Sequence, residues 1–318
     1  MATQLTNQTN KTRESTASKS HVNAFTTQME WPTLCLFAAV YALWITLTAM
    51  HSQLPLLLVL IVLAYLVALH SSLQHEVIHG HPTPSPLVNA LLAFPTLGLF
   101  VPYERYELLH LQHHRNWLLT DPYDDSESYF LASKKWDTLP RPVRAVYRFN
   151  NTLFGRLLIG PAIMLIKMCA NDWQLGQHQA EVRRSWLLHF LSCGLVISWL
   201  LVCDFSILMY LFLIAYPATS LLMLRAYSEH LPEQNVEHRS AIIKSTAIMQ
   251  LLFLNNNYHR VHHDHPEVPW YQLPGLYRQH YANQTTHVYA GYFELFRRFA
   301  FKSRFTVEHP FLARDKND

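Results

Sequence analysis

Three short runs carry most of the histidine that can do chemistry: His75-Glu76-Val77-Ile78-His79, His110-Leu111-Gln112-His113-His114 and His259-Arg260-Val261-His262-His263. His75 and His79 are four residues apart, so on a helix they share one face. The triplets, at spacings of three and four, are expected to do the same. Neutral imidazole suits zinc, copper, iron and nickel, so residue type alone does not name a metal. Number says more. The runs offer His75, His79, His110, His113, His114, His259, His262 and His263, and His230 brings the set to nine. That is more than one tetrahedral ion needs, and it divides better between two metals with open positions.

Carboxylates are nearly absent from these positions, although Glu76 and Glu229 adjoin them. Their expected role is to accept the outer ring N–H of a ligating histidine and fix its tautomer. Asn255, Asn256 and Asn257 precede the third run and read as turn or capping residues. His81 and His265 flank the runs and are expected to support ligands rather than to be ligands.

The elements that position these groups follow from hydropathy. The chain has 318 residues, half of them hydrophobic, with only eight glycines and twenty histidines. Apolar stretches run from Thr33 to Met50 and from Leu54 to His70, and again from Trp186 to Cys203 and Ser206 to Ala226. Each approaches the ~20 residues that cross a bilayer core. They form two hairpins whose turns, at His51-Ser52-Gln53 and around Asp204, carry no Lys or Arg. The N-terminal tail has Lys11, Arg13 and Lys19, and the middle segment and the C-terminal third hold most of the remaining Lys and Arg. By the positive-inside rule these regions, both termini and the metal site face the cytoplasm. The helical rise of about 1.5 Å per residue brings His75 and His230 out at similar depth.

Two more apolar stretches are expected to lie in the interface or to re-enter. Leu87 to Val101 contains Pro95, and crossing would put the second histidine run on the wrong side. Leu153 to Met168 contains Arg156, Pro161 and Lys167, and charges at those depths are costly in a span. The expected fold is therefore all-α and integral to the membrane: four transmembrane helices in two hairpins, with a cytoplasmic helical cap holding a histidine-rich di-metal site.

The expected organisation is a disordered polar tail over residues 1–30, a membrane domain with its cap over 31–290, and a basic aromatic segment over 291–318. In the last, Tyr292, Leu295, Phe296 and Phe299 recur at helical spacing among Arg297 and Arg298. That pattern suits a helix lying on the membrane surface or packed on the cap. A net charge of +3, dispersed along the chain, does not suit nucleic acid. Cys35, Cys169, Cys193 and Cys203 lie in or beside apolar stretches without a CxxC pair, and read as buried free thiols.

With these residues in place, the chain resembles the integral-membrane fatty acid desaturase and hydroxylase superfamily, its bacterial members in particular. The resemblance rests on His75 to His79, His110 to His114 and His259 to His263, on His230 after the fourth span, and on Asn256-Asn257-Tyr258 and Pro266 around the third run. It covers Thr33 to Tyr271. It implies two non-haem iron ions held by the nine histidines, O2 as co-substrate, and removal of hydrogen from an unactivated C–H bond of a fatty acyl or lipid-like chain. It implies a separate ferredoxin-like or cytochrome-like electron donor, and an inner membrane of a bacterium as location. Hydroxylation and carotenoid ketolation share the same ligands and stay open. A different class is also in play: His75-Glu76-Val77-Ile78-His79 matches the HExxH zinc protease motif. That reading leaves the other two runs without a purpose.

Overall fold

The computed structural model describes residues 28–115, 119–235, 238–283 and 287–311. The predicted disordered tail lies almost wholly outside them; Glu30, at its end, is buried and belongs to the folded body.

Two helical hairpins form the frame. The first pairs α1 (Trp31–Ala49) with α2 (Leu56–Ile78). Set α3 (Pro86–Ala93), α4 (Tyr103–Arg115), α5 (Ser133–Thr138), α6 (Arg141–Asn150) and α7 (Leu153–Gly176) follow before the second hairpin, α8 (Ala180–Val202) with α9 (Ile207–Glu229). The hairpins are bolted together at the end remote from the histidines. There the Trp44 indole N–H donates to the Tyr210 hydroxyl at 2.9 Å, and that of Trp199 donates to Thr48 Oγ1 at 2.9 Å. Between them Val59, Leu63, Leu66, Ile214 and Ala218 make a dry core.

Outward positions tell where the body sits. Leu57, Ile61, Leu195, Val202 and Leu208 are all exposed. In water each would forgo roughly 1.5–3 kcal/mol of burial; against lipid tails it forgoes nothing. The same logic corrects the reading of the cysteines. Cys35 and Cys169 are exposed and only Cys193 and Cys203 partly covered, because an apolar helix in lipid turns many side chains outward. All four are free.

Among the described residues, five helices are long and apolar enough to cross a membrane, one more than the four expected. The addition is α7, which runs through Pro161 for 24 residues. Its charges are met by the neighbouring segments. Arg156 Nε donates to Asn150 O at 3.1 Å and its guanidinium lies 4.1 Å from the Tyr129 ring centre, while Lys167 Nζ sits 5.0 Å from that of Tyr147. Both ends of α7 touch the histidine-bearing half. Phe154 N–H donates to Ala300 O at 2.8 Å, and Asp172, near its other end, takes a two-pronged bond from Arg105 of α4 at 2.7 and 2.9 Å. The stretch Leu87 to Val101 holds only the eight-residue α3, too short to cross, and then turns back into α4.

Beyond α9 the chain builds short elements over the same end: β1 (Ile242–Ile243), α10 (Ala247–Leu252), α11 (His259–Asp264), α12 (Leu273–Leu276), β2 (Val288–Tyr289) and α13 (Tyr292–Phe299). β1 and β2 pair in parallel, Ile242 with Val288 and Ile243 with Tyr289. This ties α13, whose Tyr292 and Leu295 are buried, to the segment leading into the third histidine run.

Candidate metal centre

The first run sits where α2 stops. Gly80 adopts φ 89°, a left-handed conformation that glycine takes without penalty. Its N–H donates to Val77 O at 3.0 Å and that of His81 to Glu76 O at 3.2 Å. This Schellman ending satisfies carbonyls that the helix would leave bare. It fixes His79 as the last residue before the turn, one helical turn above His75.

The nine expected histidines come together, in two groups. His75, His79, His110, His114 and His262 form one; His113, His230, His259 and His263 form the other. Within each group the nearest nitrogens lie within 4.8 Å of one another. The triplets do not share a single face as expected: each splits between the groups. Helix α4 sends His110 and His114 to the five-membered group and His113 to the other. Helix α11 does the reverse, giving His259 and His263 to the four-membered group and His262 to the first. The helix explains the split, since a step of four residues turns side chains by about +40° and a step of three by about −60°. An HxxHH run therefore faces two points at once.

Facing nitrogens are spaced as ligands of one ion would be. Nε2 of His79 and His110 are 3.1 Å apart, and those of His114 and His262 also 3.1 Å. In the second group the His230 and His259 pair is at 2.9 Å and the His259 and His263 pair at 3.0 Å. Two ligands at right angles, each about 2.1 Å from a metal, would stand about 3.0 Å apart. His113 Nε2 is buried with no hydrogen-bond partner, as an imidazole aimed at an ion would be. The donor sets and their spacing thus fit two ions.

Outer partners set the tautomers. The Nδ1–H of His110 donates to Glu127 Oε1 and that of His113 to Asp125 Oδ1, each at 2.7 Å. Both carboxylates come from the loop after α4. The His259 Nδ1–H donates to Asn256 Oδ1 at 3.0 Å and lies 3.5 Å from Glu229 Oε2. In each case Nε2 is left free to face the group. Glu229 thus stands at the expected place, itself held by Arg225 Nε at 2.9 Å. Asn256 does more than the expected turn or capping work. Glu76 does something else: its Oε2 accepts the Trp270 backbone N–H at 3.1 Å, and its Oε1 is 4.0 Å from His75 Nδ1. His81 and His265 also lie apart from the groups. His81 Nδ1 bonds Glu30 Oε1 at 2.5 Å, and His265 pairs with Glu267 at 3.4 Å near the surface.

Asp125 and Glu127 belong to an acidic patch whose role sequence alone did not disclose. The available signal was an acidic cluster shortly after an HxxHH run. The loop that carries them is pinned by Thr120, whose N–H donates to Asp125 Oδ2 at 2.7 Å.

Electrostatics follow from burial. Desolvation holds His79, His114, His259, His262 and His263 well below the ordinary histidine range, and His230 down to about 3. His110 is also lowered, its burial outweighing the pull of Glu127. These imidazoles are neutral and ready to ligate. His113 is the exception. Burial disfavours its charge, but Glu127 and Asp125 outweigh burial and raise it to about 9.

A helical body with spans long enough to cross a membrane and nine convergent histidines in two groups defines a class: a membrane protein with two histidine groups that could each hold a metal ion. The fatty acid desaturase family model matches residues 52–296, and the chain belongs to that family. No curated protein matches the chain.

Proposed function

We propose that this protein is an O2-dependent oxidoreductase that desaturates a fatty acyl or lipid-like chain, using two iron ions held by the nine histidines. The observation that carries this reading is the sorting of those histidines into groups of five and four. Iron bound there would activate O2, the oxidant, for removing hydrogen from an unactivated C–H bond, with two donor electrons completing its reduction to water. The chain's own residues hold and orient. Glu127, Asp125 and Asn256 fix the tautomers of His110, His113 and His259. The core of Leu69, Leu73 and Val77 beneath the groups keeps water out on the membrane side. An apolar substrate then reaches the groups from the bilayer.

Four helices, α1, α2, α8 and α9, cross the membrane in this reading, and α7 lies along the interface, since both its ends contact the histidine-bearing half. The histidine groups and both termini then face the cytoplasm, where a separate ferredoxin-like or cytochrome-like donor delivers two electrons per turnover. The zinc protease reading is disfavoured by Glu76, whose Oε2 is engaged with the Trp270 backbone.

The test is product analysis. Purified, iron-loaded protein with O2, a reduced ferredoxin and phospholipid or free fatty acyl substrates should yield a product lacking one hydrogen pair. A product that gains oxygen would move the assignment to hydroxylation or ketolation. Peptide hydrolysis with no oxidised lipid would overturn it.

A further inference from the structure

Among the described residues, the apolar stripe of helix α6 is left largely uncovered. Val143, Val146 and Phe149 recur every three residues and are exposed at 37%, 47% and 38%. The opposite side of the helix is engaged. Arg144 and Arg148 lie 5.6 and 5.4 Å from the ring centre of the buried Trp136 on α5, and Arg144 Nε donates to Leu139 O at 2.9 Å.

The stripe continues beyond α6. Phe149 meets Phe154, on α7, with ring centres 6.2 Å apart, and Phe154 meets Phe301, just past α13, at 5.2 Å. Phe154 and Phe301 are exposed, as are Leu158 and Ile166 further along α7 and Phe293 and Phe296 on α13. The junction requires Gly155, because a Cβ there would stand 1.8 Å from Phe149 O. So α6 is folded tightly against the start of α7, and its stripe is one surface with the apolar face of that helix.

The segments that form this surface are rich in positive charge. Residues 133–150 hold Lys134, Lys135, Arg141, Arg144 and Arg148 against one acid, Asp137. Residues 292–304 hold Arg297, Arg298, Lys302 and Arg304 against Glu294; Arg298 pairs with Glu294 at 2.6 Å and Arg304 reaches Tyr227 O and Ser228 O, which leaves Arg297 and Lys302 for a head group. An apolar stripe beside a basic rim is the pattern of a helix lying in the plane of a charged leaflet.

We propose that α5, α6 and α13 form a collar that binds anionic lipid, with the stripe in the hydrocarbon and the cations at the head groups. Continuity with the apolar face of α7 selects lipid over a soluble partner, and the charge selects an anionic head group. Each basic residue near such a leaflet raises attraction roughly fivefold. The proposal rests on the membrane embedding of α7 and not on the metal chemistry.

The probe is phosphatidylglycerol in nanodiscs made mainly of phosphatidylcholine. Spin-labelled forms of the two lipids report which is retained at the protein surface. Wild type is expected to enrich phosphatidylglycerol at least fivefold. Arg141→Gln/Arg297→Gln/Lys302→Gln, which leaves the Trp136 contacts in place, is expected to bring the ratio towards one with helicity and metal content unchanged. Equal retention of the two lipids by wild type would overturn the proposal. Depth is read independently by a nitroxide at Val146→Cys, in a chain with Cys35, Cys169, Cys193 and Cys203 changed to alanine. It should relax with O2 and be shielded from a polar nickel chelate. Free access of the chelate would place the stripe in water, open to a soluble partner or a second copy, and would also overturn the proposal.

Discussion

The two histidine groups both draw on α4 and α11, in opposite proportion, yet they differ in redundancy and in charge. The five-membered group takes two pairs and a single: His75 with His79, His110 with His114, and His262. The four-membered group takes one pair, His259 with His263, and two singles, His113 and His230. The first group rests on α2, a long helix buried along most of its second half. The second relies on His230, which lies just past the end of α9 in extended backbone, and on His113, whose ring is held by a loop carboxylate. One group is overdetermined by helices; the other depends on outer partners.

Substitution should expose that difference most strongly. His230→Ala leaves three imidazoles and is expected to empty its group, whereas His114→Ala leaves four and should retain metal with weakened affinity. Equilibrium dialysis with cobalt, read by its visible spectrum, separates the two. Equal losses would mean the groups are equally supported.

Acid should separate them next. With its proton held up to about 9, His113 must lose a proton before it can ligate at neutral pH. Metal affinity of the four-membered group is therefore expected to fall about tenfold for each unit below about pH 9. In the other group His79, His110, His114 and His262 are depressed by burial, so its affinity should stay level through neutrality. A titration showing one proton released per two metals bound at pH 7 supports this; none released contradicts it.

Asp125→Asn sharpens the same contrast. It leaves Glu127 but removes the second charge that raises His113, and it weakens the hold on its ring. Loss of such a partner costs about 10- to 100-fold in metal affinity, and the pH dependence of the four-membered group should flatten at the same time. A loss without flattening would assign His113 its charge from Glu127 alone.

The smallest effect is expected at the C-terminal strap. His309 Nε2 lies 2.9 Å from Thr120 Oγ1, and the His309 backbone N–H donates to Leu131 O at 3.1 Å, bracing the loop that carries Asp125 and Glu127. His309→Ala should speed metal loss to a chelator a few-fold, with His309→Gln partly restoring it. An unchanged rate would make the strap incidental to the groups.

Much of this was legible in the sequence because it is local. Apolar stretches of near-membrane length displayed the hairpin helices, histidine spacing displayed eight members of the groups, and helical depth added His230. Residues brought together by distant loops were not legible. Asp125 and Glu127 look like a solvated acidic patch until the chain turns back on α4. Asn256 reads as a turn residue until His259 is placed above it. The division of each triplet was implicit in helical angles, but only a second group of ligands reveals which member faces which way. The length of α7 was hidden because Arg156 and Lys167 read as charges without partners, and Tyr129 and Tyr147 meet them only in three dimensions.

The most direct test of the central claim is metal content per chain in detergent-purified protein, for wild type, His262→Ala and His263→Ala. Two separate groups predict about two irons per chain in wild type, a fall to about one in His263→Ala, which leaves three imidazoles in the four-membered group, and a smaller loss in His262→Ala, which leaves four in the other. A single zinc per chain, unchanged in both variants, would contradict a two-metal centre.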